Sequence, residues 1–222
     1  MKIALAAATR KEIEPVQQYL SERIYLKGHH RFSITLTGVG LMGTAYELTK
    51  AWLRDKPDIA IQAGIGGSFH PLYKPGSVVA IREELVGDQG VMENGWLDLF
   101  DMGLADADAF PLTGGRLVNP HVELIRKSNL ETVCGLSVNQ VSTDLEHIRQ
   151  MLHKFGPVVE SMEGAAFHHV CLMEGIPFIQ VRAISNRVGD RDKSNWQIGP
   201  AVHNLNDAVI QLINRISEST HP

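Results

Sequence analysis

The sequence predicts an α/β fold, a mixed central sheet with helices packed on both faces. Three observations carry that expectation. Short β-type runs alternate with helix-period segments along nearly all of the 222 residues. Two of the runs, Lys2 to Ala7 and Asp58 to Ala63, are almost continuously apolar, as strands in the middle of such a sheet are. Glycine loops follow strands at Gly38 to Gly43 and at Gly64 to Gly67.

The elements follow in order. Lys2 to Ala7 is a strand, and a helix runs from Arg10 to about Leu20. Phe32 to Thr37 is a second strand, and the glycine loop after it opens a helix that turns Ala45, Leu48, Trp52 and Leu53 inward at helical spacing before Pro57 ends it. Asp58 to Ala63 is a central strand and Ser77 to Val86 another. From Gly87 to Gly115 the chain is rich in Gly, Asp and aromatics, an irregular insert of the length that serves function or an interface. Thr132 to Gln140 is a strand; Ser142 or Thr143 caps a helix that reaches Phe155 and stops at Gly156. Pro157 to Glu160 is a short strand leading into a helix from Met162 to Glu174, which Gly175 terminates. Pro177 to Ser185 is a strand, Asn186 to Gly199 a polar loop, and Pro200 to Ser217 the closing helix.

Length and 44% apolar content suit one domain over residues 1–222. The formal charge of −4, from 25 acidic and 21 basic residues, comes without any Lys/Arg run. That excludes a nucleic-acid or membrane partner and favours a small molecule. Cys134 and Cys171 lack metal or disulfide spacing and read as buried thiols in a reducing compartment. The apolar stretch before Arg10 and Lys11 is too short for a signal segment, so the expected location is cytoplasmic.

Four segments can carry chemistry. Gly38-x-Gly40-x-x-Gly43 matches the dinucleotide fingerprint, but the next strand ends in Gln62 and Ala63 where that fingerprint needs an acid, so a tight turn with close helix packing is expected and no cofactor. Glu12 lies just past the first strand, where α/β sheets hold ligands, yet Thr9-Arg10-Lys11-Glu12 is also a capping box; spacing alone favours the cap. In ESMEGAAF, residues 160–167, Glu163 falls in the first helical turn, where the helix dipole stabilises it whatever its function. In VRAISN, residues 181–186, Arg182 interrupts an apolar strand and must meet a carboxylate or an anion, because an unpaired buried charge is too costly. Among the histidines, His29 and His30 beside Gly28 read as a solvated turn, and His168 and His169, adjacent on a helix, face different ways. No ligand spacing for a metal is present, so none is expected.

Taken together, Glu12, the two glycine loops, Ser161-Met162-Glu163 and Arg182 to Asn186 resemble the nucleoside phosphorylase and nucleosidase family in order and spacing along nearly the whole chain. Within it the likeness is strongest to the nucleosidases that cleave futalosine, through GWLDLFDMGLAD, ESMEGAAFHHVC and RAISNRVGDRDKSNW. The resemblance implies a three-layer α/β/α fold and hydrolysis of a purine nucleoside, with a place in menaquinone synthesis. It implies Glu12 as the base that activates water, Met162 and Glu163 on the ribose, and Arg182 as the group that orients Glu12 or the water. Asn186 stands where adenine-cleaving relatives carry an aspartate. Its amide can donate to a purine O6 and accept from a protonated N7, which with Ser185 favours hypoxanthine as the leaving base.

Two departures stand out. Ile65, beside Gly66, replaces a serine of the adenine-cleaving relatives, and Val141 and Ser142 fall where those relatives stack an aromatic on the base. The resemblance also implies a slot for an aromatic tail, for which Leu97, Phe100 and Phe110 offer walls and Arg187 or Arg191 a cation, and a homo-oligomer of at least two copies. Three alternatives stay open: a phosphorylase of 6-oxopurine nucleosides, a methylthioadenosine or adenosylhomocysteine nucleosidase, and a nucleoside-binding or storage protein without catalysis.

Overall fold

The computed structural model describes residues 1–22, 30–93 and 95–218. The strands are β1 (Lys2–Ala7), β2 (Arg31–Leu36), β3 (Ile59–Ser68), β4 (Val78–Val86), β5 (Gly90–Met92), β6 (Trp96–Asp98), β7 (Leu117–Val118), β8 (Glu131–Ser137), β9 (Val159–Ser161) and β10 (Phe178–Arg187). The helices are α1 (Arg10–Glu22), α2 (Leu41–Arg54), α3 (Val122–Ser128), α4 (Leu145–Phe155), α5 (Gly164–Glu174) and α6 (Ile198–Glu218).

The expected mixed sheet is present. β1 lies parallel between β2 and the first half of β3; β10 runs parallel to β3 along its other edge and antiparallel to β4; β8 is parallel to β4 and to β9. The short β9 then returns to β3, pairing Gly67 with Glu160 and Ser68 with Val159. Strands β3, β10, β4, β8 and β9 therefore close a ring, with β1 and β2 as a wing.

The two faces explain the apolar patterns. On one, Ile13, Val16 and Leu20 of α1 and Leu205, Val209 and Leu212 of α6 pack on Ile3, Leu5, Ile61 and Ile179. On the other, Leu48 and Trp52 of α2 and Phe167, Val170 and Cys171 of α5 pack on Ala4, Ala6, Ala60 and Phe178. Helical spacing thus puts one stripe of each helix against strands buried from both sides.

Several expectations change. Leu53 is 73% exposed, because it follows Met42 and Tyr46 along the outer stripe of α2 while Trp52 takes the core. The cap of α4 is Asp144, whose carboxylate accepts from His147 N at 2.7 Å; Ser142 and Thr143 fall before it. The closing strand runs past Ser185 through Asn186 to Arg187, so Asn186 sits on a strand and not in a loop. His30 is buried with its ring against Phe32, not solvated, and Gly28 and His29 lie outside the described residues. Cys171 is buried, whereas Cys134 is only half-buried. As expected, His168 points into the core and His169 outward.

Candidate active site

Glu12 reaches back to the start of its own helix, as the capping reading expects, and also across to the central strand. Its Oε2 accepts from Thr9 N at 2.9 Å and Thr9 Oγ1 at 2.8 Å, which completes the cap of α1, while Oε1 accepts from Ile65 N at 3.2 Å. One carboxylate therefore spans the start of a helix and the end of the central strand. The helix holds the rotamer, and the second oxygen is left facing the strand ends.

Glu163 stands opposite. It precedes the first residue of α5, but its side chain caps nothing. Instead Oε2 meets Arg182 Nη1 at 3.2 Å and Oε1 accepts from Gly40 N at 3.3 Å. Gly40 has φ of 101°, which favours glycine and turns its N–H toward the carboxylate. The glycine loop is thus a turn, as read, and also a clamp on Glu163.

Arg182 is almost fully buried, and its cost is offset by Glu163, by Gln62 Oε1 at 3.0 Å from Nη2 and by Ile65 O at 3.4 Å from Nη1. The carboxylate that its burial demands is Glu163. The hydrogen bond runs to Glu163, while Glu12 Oε1 takes its donor from Ile65 N. Its guanidinium and Glu12 Oε1 both crowd over Gly64, where a Cβ would collide with Nη1.

On the neighbouring strand ends, Ser185 Oγ lies 3.1 Å from Gly66 O and 2.7 Å from Asn186 Oδ1, and Asn186 Nδ2 donates to Arg187 O at 2.9 Å. Met162 and Ile65 are half-buried beside these groups in sequence, Val141 is exposed, and Ser142 is buried with its N–H on Glu160 Oε1 at 3.2 Å. The structure therefore joins Glu12, Glu163, Arg182 and Ile65 in one cluster, and Ser185, Asn186 and Gly66 in a second along the same strand pair.

Phe100 and Phe110 lie elsewhere. They line a cavity of about 1020 Å³ with Leu41 and Met42 of α2 and Ala165 and Ala166 of α5. This cavity lies beside α5, and Glu12, Glu163 and Asn186 are not among its walls. Leu97, Arg187 and Arg191 are not among its walls; Arg191 stacks over Trp196 instead.

Gly40 and Gln62 were read only as part of a turn and as a strand end, and Glu84 was not singled out. Glu84 is fully enclosed, accepts from Gln180 Nε2 at 2.8 Å and Ser137 Oγ at 3.0 Å, and presses on Gly164 at the start of α5. Burial raises its carboxyl to about 7 against the lowering effects of Gln180, Arg182 and Ser137. Burial also pushes His168 down to about 3, which keeps that imidazole neutral. Among the described residues no three His, Cys, Asp or Glu side chains converge on a metal position.

The cluster offers a carboxylate beside the central strand and a second one held by a buried cation, groups of the kind that can take a proton. The chain belongs to the phosphorylase superfamily, whose family model matches residues 2–218. It is 32% identical over 182 residues to the futalosine hydrolase of Thermus thermophilus, spanning 80% of this chain and 79% of that one. Its fold matches the futalosine hydrolase of Helicobacter pylori with a TM-score of 0.77 at 16% identity, covering 96% and 97% of the two chains. It also matches the 5'-methylthioadenosine/S-adenosylhomocysteine nucleosidase of Helicobacter pylori with butyl-thio-DADMe-Immucillin-A, with a TM-score of 0.80 at 18% identity over 96% and 98%.

Proposed function

We propose that this protein hydrolyses the N-glycosidic bond of a 6-oxopurine nucleoside, with futalosine as its substrate and hypoxanthine as the leaving base, on the futalosine route to menaquinone. The observation that carries the reading is the pair of carboxylates: Glu12 fixed by its cap with Oε1 turned to the strand ends, and Glu163 clamped between Arg182 and Gly40. Glu12 takes a proton from water as it attacks an anomeric carbon carrying positive charge. Glu163 accepts from ribose hydroxyls, with Met162 packed on the sugar. Asn186 donates to O6 and accepts from a protonated N7, with Ser185 steadying its amide. The two carboxylates carry more negative charge than Arg182 neutralises and would repel phosphate, which favours water as the nucleophile.

The test is incubation of the protein with futalosine or inosine, with and without phosphate. Hypoxanthine release independent of phosphate is expected. A strict phosphate requirement would make the protein a phosphorylase, preferential release of adenine from methylthioadenosine would make it an adenine-cleaving nucleosidase, and binding without release would leave it a binding protein.

The reading extends to assembly and place. Met42 is 84% and Phe110 73% exposed at the rim of the large cavity, with Tyr46 one turn beyond Met42. An apolar rim of this kind supports a homo-oligomer in which a second copy covers the recess and Phe100 and Phe110 contact the 5' substituent of the substrate. Sedimentation of Met42→Glu should show dissociation relative to the unsubstituted chain; an unchanged oligomer would remove this surface from the interface. No helix among the described residues is long and apolar enough to cross a membrane. Together with the free Cys134 and Cys171, that fits a cytoplasmic setting.

A further inference from the structure

Helix α6 turns Leu205, Val209, Leu212 and Ile213 into the core against α1 and the sheet, and on that buried stripe it also carries an asparagine. Asn206 is 2% exposed, so its amide has to find its partners inside the protein. It finds them on the main chain. Oδ1 accepts from Val16 N at 3.1 Å, and Nδ2 donates to Glu12 O at 3.0 Å and to Val202 O at 2.7 Å. An apolar side chain of the same shape would pack on the stripe without needing any of these bonds.

The two α1 groups that it holds belong together. Glu12 C=O and Val16 N–H are the acceptor and donor of one i to i−4 link of an α-helix, and Asn206 bonds both. Pro15, in the same turn, offers no N–H to Lys11 C=O and its ring crowds that carbonyl, which weakens the hold between the first turn of α1 and the rest. The amide of Asn206 thus fastens α1 where proline loosens it, at the residue whose carboxylate reaches the central strand. Glu12 then has an anchor on each part: its carbonyl on Asn206, Oε2 on Thr9 and Oε1 on Ile65 N. The chain entering α6 is tied to Ser185 as well, since Gln197 N donates to Ser185 O at 2.8 Å.

Resting on the assignment of Glu12 as the base that activates water, we propose that Asn206 is a positioning residue: by bridging Glu12 C=O and Val16 N–H, it sets the backbone from which the Glu12 carboxylate is aimed. Asn206 itself touches no substrate. Its loss leaves Glu12 the side-chain contacts to Thr9 and Ile65 but frees the main chain beneath them. A carboxylate displaced by a fraction of an ångström is a poorer base for a water held by other groups.

The experiment is steady-state hypoxanthine release from futalosine or inosine by the full chain, unsubstituted and as Asn206→Leu, Glu12→Gln, the double variant and Val209→Ala. Leucine resembles asparagine in shape, favours a helix and leaves Glu12 C=O and Val16 N–H to pair with each other, so Asn206→Leu should keep its melting temperature. Its kcat should nevertheless fall ~10-fold or more, with KM within about twofold of the original. In the Glu12→Gln background the same substitution should change kcat by less than about twofold, because a residue that acts through Glu12 has nothing left to aim. Val209→Ala loosens the same packing and should lower the melting temperature while leaving kcat unchanged. Should Asn206→Leu fail to fold, Asn206→Ala, which cannot overpack the stripe, takes its place in the cycle. Unchanged kcat in a folded Asn206 variant, an equal fall in the Glu12→Gln background, or a matching fall in Val209→Ala overturns the proposal. If any of these accompanies hypoxanthine release by the unsubstituted chain, only the role of Asn206 fails; if that chain releases none, the nucleosidase assignment fails and takes this role with it.

Discussion

At Glu12 and Glu163 every carboxylate oxygen already has a donor from the protein, from Thr9, Ile65, Gly40 or Arg182. Around Glu160 and Ser142, on the same sheet, the buried carboxylate is held by the Ser142 N–H and by the hydroxyl of the same residue. The first region is assembled before any ligand arrives, so its groups pay little reorganisation when charge develops on a substrate. The second is held by one residue of a neighbouring loop, and burial raises its carboxyl against the lowering effect of Ser142.

The sharpest way to break this contrast is Arg182→Met, which leaves Glu163 buried without its cation. Loss of about 3–5 kcal/mol of stability is expected in urea unfolding, and a change below 1 kcal/mol would mean that the pair is not preassembled. Next, Glu12→Gln and Glu163→Gln should each lower kcat by ~100-fold or more with the fold retained; near-normal turnover in either variant removes that residue from the chemistry. On the selective side, Asn186→Asp should shift kcat/KM from inosine toward adenosine by ~10-fold, since an acid can meet the adenine amino group. Competition between the two nucleosides measures it, and unchanged selectivity would take Asn186 off the base.

The smallest effect concerns the support beneath both regions. The raised carboxyl of Glu84 means that the folded chain holds this proton more tightly than the unfolded one. Its stabilisation is therefore complete at acid pH and declines as the pH rises from about 4.5 through about 7. Glu84→Gln should narrow the gap in Tm between pH 5 and pH 8 by a few degrees; an unaltered gap would show that the group is ionised throughout.

Periodicity made the layers legible, because strands buried on both faces and helices with one apolar stripe leave plain marks in sequence. The short strand β9 was read at residues 157–160, but its closure of the ring was not, since the partners it pairs with, β8 and β3, are distant in sequence. In the site, Arg182 announced a partner by its burial, and Glu163 answered. The cap at Glu12 was readable from spacing, but the spacing could not show its second oxygen on Ile65, 53 positions away. Gly40 looked like a turn because its contact with Glu163 is 123 residues distant. Leu53 was misplaced because apolar character does not tell the core stripe of α2 from an outer one that another surface can cover. Glu160 was read only as one of two carboxylates in residues 160–167, because its place opposite Gly67 and the bulge beside Asn186 are properties of pairing, not of composition.

The shared duty of Glu12 bears on how distant relatives should be judged. A descendant that abandoned the reaction would still need an acid here to fasten its first helix, so finding glutamate at this position testifies to architecture before it testifies to enzymology. The Glu163 and Arg182 couple, which serves no helix, is the more telling relic of a working ancestor.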